Sequence, residues 1–336
     1  MWSQSWNYLR AIITADFDLV DEDDFGYRIA FIEAFQRRGI FPDNVKNMSV
    51  ASLLCRATHN GWFENSFSSL IEFFKIFKEK ISYVNNREEI FDVTMLFISG
   101  GNYLRICEKF GRMAGPNDKL EIVGLHERIM NIVKVNQEAT RVFGDLTGMV
   151  LDLNDPEIGG IDRSSKYESY LRFEVHSLKL ASRVGPHGKV INQIVVTLTQ
   201  RKGVIIGKDE SGDPIIAGYF SPTAPRDGWI DVTGVHTIKR DFPSDHGYEG
   251  SEMILPRNWI IFRGGSTLIF DLDYNSLGGN IKLKYVIKKD IRDRRRMFRQ
   301  HRLLFEGQDR TLNATYFGRA QGNLEAEPFA IIHKVL

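Results

Sequence analysis

Apolar residues recur every three to four positions through the first 150 residues and every two positions after about residue 170. The chain therefore reads as helices first and strands second. Tyr27, Ala30, Phe31, Ala34 and Phe35 share one face of a helix, and Gly39 is placed to end it. Ser49 is a candidate N-cap for a short helix through Leu53 and Leu54. Phe67, Leu70, Ile71, Phe74 and Phe77 form a second stripe, with Glu72, Lys75 and Lys78 turned outward. A further helix covers Ile90 to Ile98, and another pattern covers Leu120 to Val135 through Ile122, Leu125, Ile129, Ile132 and Val133.

The stretch LDLNDPEIGGIDRSSK, from Leu151, is rich in Asp, Gly, Ser and Pro and reads as a linker. Beyond it Phe173 and Val175 alternate with Arg172, Glu174 and His176, the pattern of a strand. GPHG (185–188) joins this strand to Val190–Thr199, and KDESGD joins Gly203–Ile206 to Ile215–Phe220, giving two hairpins. Residues 221–252 read as a long polar excursion, and strands return at Trp259–Phe262, Thr267–Leu272 and Ile281–Ile287. A basic helix is expected from Ile291 to Phe305, where Ile291, Phe298 and Phe305 recur every seven residues. The fold class expected is α+β: a helical domain over 1–150, an antiparallel, sandwich-like β-domain over 165–290, and a basic C-terminal helix and tail over 291–336.

Composition narrows the function classes. The 336 residues are 43% hydrophobic and 26% charged with a net charge of +1, so no global field favours nucleic acid or an anionic membrane. No run of about 18 apolar residues is present, and the opening MWSQSWNYLRAIITA lacks the basic start of a signal peptide. Cys55 and Cys107 are too few for a disulfide scaffold and read as buried free thiols in a reducing cytoplasm.

Two segments carry a resemblance. YLRAIITADFDLV followed by GYRIAFIEAFQRRGIFP, within Tyr8 to Pro42, resembles the last helices of the thermolysin-like unit of bacterial gluzincin-type zinc metallopeptidase-like proteins. FEVHSLKLASRVGPHGKVINQIVVTLTQR (173–201) and FRGGSTLIFDLD with LKYVIKKDI (262–291) resemble the C-terminal region of the same family, in the same order. The resemblance implies a C-terminal, non-catalytic portion, whose catalytic half is encoded separately, split off by processing or lost; the partner expected is a separate HExxH-bearing chain that would hold the zinc. The family's HExxH motif, two imidazoles one helical turn apart with a glutamate base, is missing here. The nearest string, His126-Glu127-Arg128-Ile129-Met130, ends on a thioether. No catalytic or metal-binding residue carries over.

Other chemistry is sparse. The eight histidines, His59, His126, His176, His187, His236, His246, His301 and His333, contain no helical i,i+4 pair. His236 and His246 with Asp241 and Asp245 form a polar loop that would gather a metal only by folding back. Cys55 and His59 are spaced as a thiol and a base, without an orienting third group, which leaves a hydrolase with an unrecognised site as one alternative. Arg263, Gly264 and Gly265 suggest a backbone nest for an anion, against the plain reading of a turn or bulge entering a strand. Arg294, Arg295 and Arg296 lie in the densest charge cluster (288–302), which makes a nucleic-acid-binding protein using this basic helix another alternative; the plain reading is a solvated face of a docked helix or a surface for an acidic partner.

Overall fold

The computed structural model describes residues 5–20, 22–42, 45–57, 69–113, 115, 121–135, 137–164, 170–184, 190–223, 229–231, 237–238, 258–273 and 280–305. Helices are α1 (Ser5–Leu19), α2 (Tyr27–Arg37), α3 (Val50–Leu53), α4 (Leu70–Ser82), α5 (Arg87–Ser99), α6 (Leu104–Lys109), α7 (Leu125–Val133), α8 (Gln137–Thr147) and α9 (Arg294–Phe305). Strands are β1 (Gly101–Asn102), β2 (Glu121–Ile122), β3 (Glu174–Val184), β4 (Val190–Lys208), β5 (Pro214–Phe220), β6 (Trp229–Asp231), β7 (Thr237–Ile238), β8 (Trp259–Asp273) and β9 (Asn280–Lys289). Helices thus precede an antiparallel β-rich region.

Two compact units cut across sequence order. One comprises Met1–Gly148, Glu174–Thr199 and Gly265–Lys289, and the other Met149–Phe173, Gln200–Gly264 and Asp290–Leu336. This division differs from the 1–150, 165–290 and 291–336 domains expected from sequence. Periodicity marks where elements change type, but it does not show which strands the helices cover.

In the first unit β3 pairs antiparallel with β4 from Glu174↔Thr199 to Val184↔Val190, and β8 pairs antiparallel with β9 from Gly265↔Lys289 onward. A register shift between Val175 and Ser177 moves the buried position on to Leu178. Helices α5 and α7 lie on β3, and α8 lies on β9. The core here is aromatic. Phe73, Phe74 and Phe77 of α4 are buried, Phe97 packs on Phe73 and Phe77 at 5.4 and 5.2 Å, and Phe270 packs on Phe74 at 5.5 Å. A smaller cluster joins Leu9 and Ile13 of α1 to Ile32, Leu53 and Leu54.

Local signals act as the sequence suggests. Gly39 sits at φ +68°, its N–H donating to Gln36 O at 2.9 Å and the Ile40 N–H to Phe35 O at 3.0 Å, which closes α2 with paired C-terminal bonds. Ser49 caps α3 by accepting the Ser52 N–H. The Leu120–Val135 pattern differs from expectation, because its helix begins only at Leu125. Glu121 and Ile122 are taken into the β1–β2 pair, and a Cβ on Gly124 would lie 2.6 Å from Gly100 N.

In the second unit β5 continues antiparallel from β4, Gly203↔Phe220 to Lys208↔Pro214, then β6 and β7 follow. Val150, Ile161, Leu171, Val204, Ile206, Ile260, Phe262, Ile291 and Met297 form its main cluster. Helix α9 starts at Arg294 rather than Ile291, because the Asp293 carboxylate accepts the Arg296 N–H at 3.1 Å and acts as the N-cap. Among the described residues the strands form one antiparallel sheet and the small β1–β2 pair.

Candidate functional site

Helices α1 and α2 each bury polar side chains beside the apolar Leu9, Ile13 and Ile32. On α1 the polar residues Arg10, Thr14 and Asp18, spaced four apart, face inward. Arg10 Nε donates to Leu53 O at 3.1 Å, and Thr14 Oγ1 accepts the Cys55 N–H at 3.0 Å. Asp18 pairs with Arg183 and Lys284, each at 2.5 Å. The Gln193 amide joins this group by donating to Asp18 and to Asp271, at 2.6 and 2.7 Å. Burial and the Asp18 charge push the neighbouring Tyr285 phenol up to about 12.

Helix α2 also buries a polar side chain. Its buried residues are Arg28 and Ile32. The Arg28 guanidinium, 4% exposed, pairs with Asp16 and donates to Val20 O, while its backbone N–H reaches Asp23 at 2.9 Å. This anchoring leaves the first part of the α2 stripe, Tyr27, Ala30 and Phe31, outward, while Ala34 is half-buried and Phe35 packs on the Leu9–Leu54 cluster. Tyr27 is 72% exposed and Phe31 38%, Ala30 is exposed, and Phe25, next to Tyr27, is 82% exposed. Phe41 and Tyr8, in the same stretch of sequence, are also exposed. Phe25 and Tyr27 stack at 5.7 Å, and Phe31 and Phe35 at 5.2 Å. Glu22, Asp24 and Glu33 are exposed along the same stretch.

The residues nominated for anion binding do not act together. Arg263 is exposed, but Gly264 and Gly265 are buried inside β8, which runs unbroken through FRGG. A Cβ on Gly264 would lie 2.6 Å from Ile291 Cβ, and one on Gly265, at φ +126°, would lie 2.1 Å from Leu198 O. Both glycines therefore serve close packing rather than an exposed nest.

Arg294 is held at 2.6 Å by Glu157. Arg296 lies over the Phe262 ring at 5.7 Å, and burial pushes its guanidinium below the usual range. Only Arg295 opens into a cavity, of about 640 Å³, with Lys208, Phe298, Arg299 and Arg302 also on its wall.

One buried cation escaped the sequence reading. Lys202, within β4, is fully buried and donates to both the Glu157 carboxylate and the Glu157 carbonyl at 2.9 Å. Burial pushes Glu157 up, but hydrogen bonds from Lys202 and Arg294 outweigh it and hold the carboxyl below its usual range. Arg292 pairs with Asp155 at 2.8 Å beside it. This network pins the 149–173 segment to β4 and α9 within the second unit. Its groups saturate one another, so it reads as structure.

Cys55 is buried, with its backbone engaged by Thr14 and by the Val286 N–H at 2.8 Å, and His59 lies outside the described residues. His187, His236, His246 and His333 also lie outside them. Among the described residues no three metal-ligating side chains gather, and no helix is long and apolar enough to cross a membrane. No family model, curated protein or solved structure matches this chain.

Proposed function

We propose that this chain is a non-catalytic, protein-binding module that docks on a separate chain through the outward apolar stripe of α2. The observation that carries the reading is the exposure of Tyr27, Ala30 and Phe31, a helical stripe of the kind that ordinarily packs on a core. The same stripe lies in the Tyr8–Pro42 segment that resembles the last helices of a gluzincin-type unit. The occupant proposed is an HExxH-bearing metallopeptidase-like chain, which would hold the zinc. Its contact face would be apolar with basic groups to match Glu22 and Asp24, Glu33 being already paired with Arg37. Two buried free thiols support a reducing, cytoplasmic setting.

The test is mild purification from the native source, followed by mass spectrometry of the bound chains and zinc analysis. A stoichiometric HExxH-bearing partner with one zinc is expected. A lone, metal-free chain contradicts the proposal.

A further inference from the structure

Helix α9 places Arg295, Arg299 and Arg302 at spacings of four and three, one stripe rising roughly 10 Å along the helix. That stripe forms one wall of the 640 Å³ cavity in the second unit, and Lys208 at the end of β4 adds a fourth cation. Three nearby carboxylates are held by backbone groups: Asp293 caps α9, Asp290 accepts the Arg292 N–H, and Asp209 accepts the N–H groups of Ser211 and Asp213. Glu210 and Asp213 lie in the same turn, but among the described residues no carboxylate lines the cavity. Arg295, Arg302 and Lys208 are exposed and form no ion pair among the described residues. The remaining wall is mixed: Phe298, itself backed by the core cluster, with Ile206 and Pro214, and the polar side chains of Asn258 and His301.

Guanidinium forks match phosphate oxygens in pairs, and an aromatic ring beside them offers a face to a planar group. The volume falls within the range of small-ligand sites. The chain's near-zero net charge gives no extended field along which a polynucleotide would track.

We propose that this cavity binds a nucleotide carrying two or more phosphates, with the phosphates on Arg295, Arg299, Arg302 and Lys208 and the base against Phe298. The site is separate from the α2 surface, and neither reading depends on the other.

The test titrates a fluorescent nucleoside diphosphate (mant-ADP) into the full chain, with inorganic phosphate as competitor and labelled oligothymidylate in parallel. Saturable mant-ADP binding, displaced by phosphate, is expected. Arg295→Ala combined with Arg302→Ala weakens it about tenfold. Both arginines are exposed, so the thermal midpoint stays put and loss of fold is not the explanation. Phe298→Leu weakens mant-ADP while leaving phosphate competition intact. Absence of saturable binding, or binding unchanged in the double arginine variant, overturns the site. Equal loss of both ligands in Phe298→Leu overturns the placement of the base. Oligothymidylate binding tighter than mant-ADP, with a steep salt dependence, overturns the nucleotide in favour of a nucleic acid.

Discussion

Helices α2 and α4 carry similar apolar stripes and end in opposite environments. On α4 the stripe of Leu70, Phe73, Phe74 and Phe77 is buried and meets the rings of Phe97 and Phe270. On α2 the stripe of Tyr27, Ala30 and Phe31 stands in solvent, and the residues beneath the helix are Arg28 and Ile32. Period alone does not decide which face of a helix is covered. On α2 one buried cation decides it. The Arg28 guanidinium finds Asp16 and the Val20 carbonyl in place, its backbone N–H finds the Asp23 carboxylate, and satisfying these groups holds Tyr27, Ala30 and Phe31 outward. A stripe buried in the chain's own core stabilises the fold, whereas a stripe left outside is available to a partner.

Variants at the two stripes separate these roles, and the largest effect is expected on α4. Phe74→Ala removes a fully buried ring and costs about 3–5 kcal/mol, read from urea unfolding. Arg28→Ala strips Asp16 and the Val20 carbonyl of their donor and costs about 2 kcal/mol by the same measurement. Gly39→Ala forces a side chain into the left-handed region at φ +68° and costs about 1 kcal/mol, loosening the end of α2. The smallest effect on stability is expected from Tyr27→Ser with Phe31→Ser, at or below about 1 kcal/mol, because Tyr27 is 72% exposed and Phe31, 38% exposed, loses only its contact with Phe35. A loss in that pair comparable to Phe74→Ala would place the α2 stripe in the core and remove the contrast.

The sequence displays the local devices well. Gly39 and Ser49 work as read, since a C-terminal glycine and an N-cap serine act over only a few residues. The antiparallel pairs β3–β4, β4–β5 and β8–β9 are also legible from alternation. What alternation missed is continuity. Arg201 to Gly203 and Arg263 to Gly265 look like interruptions, yet β4 and β8 run straight through them. Lys202 is accommodated by Glu157, 45 residues earlier, and the glycines by close neighbours, Phe220 O for Gly203 and Ile291 for Gly264. Such partners are set by tertiary contact, and no local pattern announces them.

The candidate site was legible only in part. Arg295 was nominated and lines the cavity, but Arg294 and Arg296 are committed to Glu157 and Phe262. Arg299, Arg302 and Lys208 were passed over as single residues. The spacing 295, 299, 302 was a usable signal, because those three positions share one helical face.

If the outward stripe of α2 is a docking surface, serines on it release the partner and leave the fold intact. The Tyr27→Ser, Phe31→Ser double variant and the unaltered chain would be purified side by side from the native source. Co-purified HExxH-bearing partner and thermal midpoint would be measured on both. The double variant loses the partner while its midpoint moves by no more than a few degrees. A partner retained in full by the double variant, with the midpoint as little moved, would contradict the docking role.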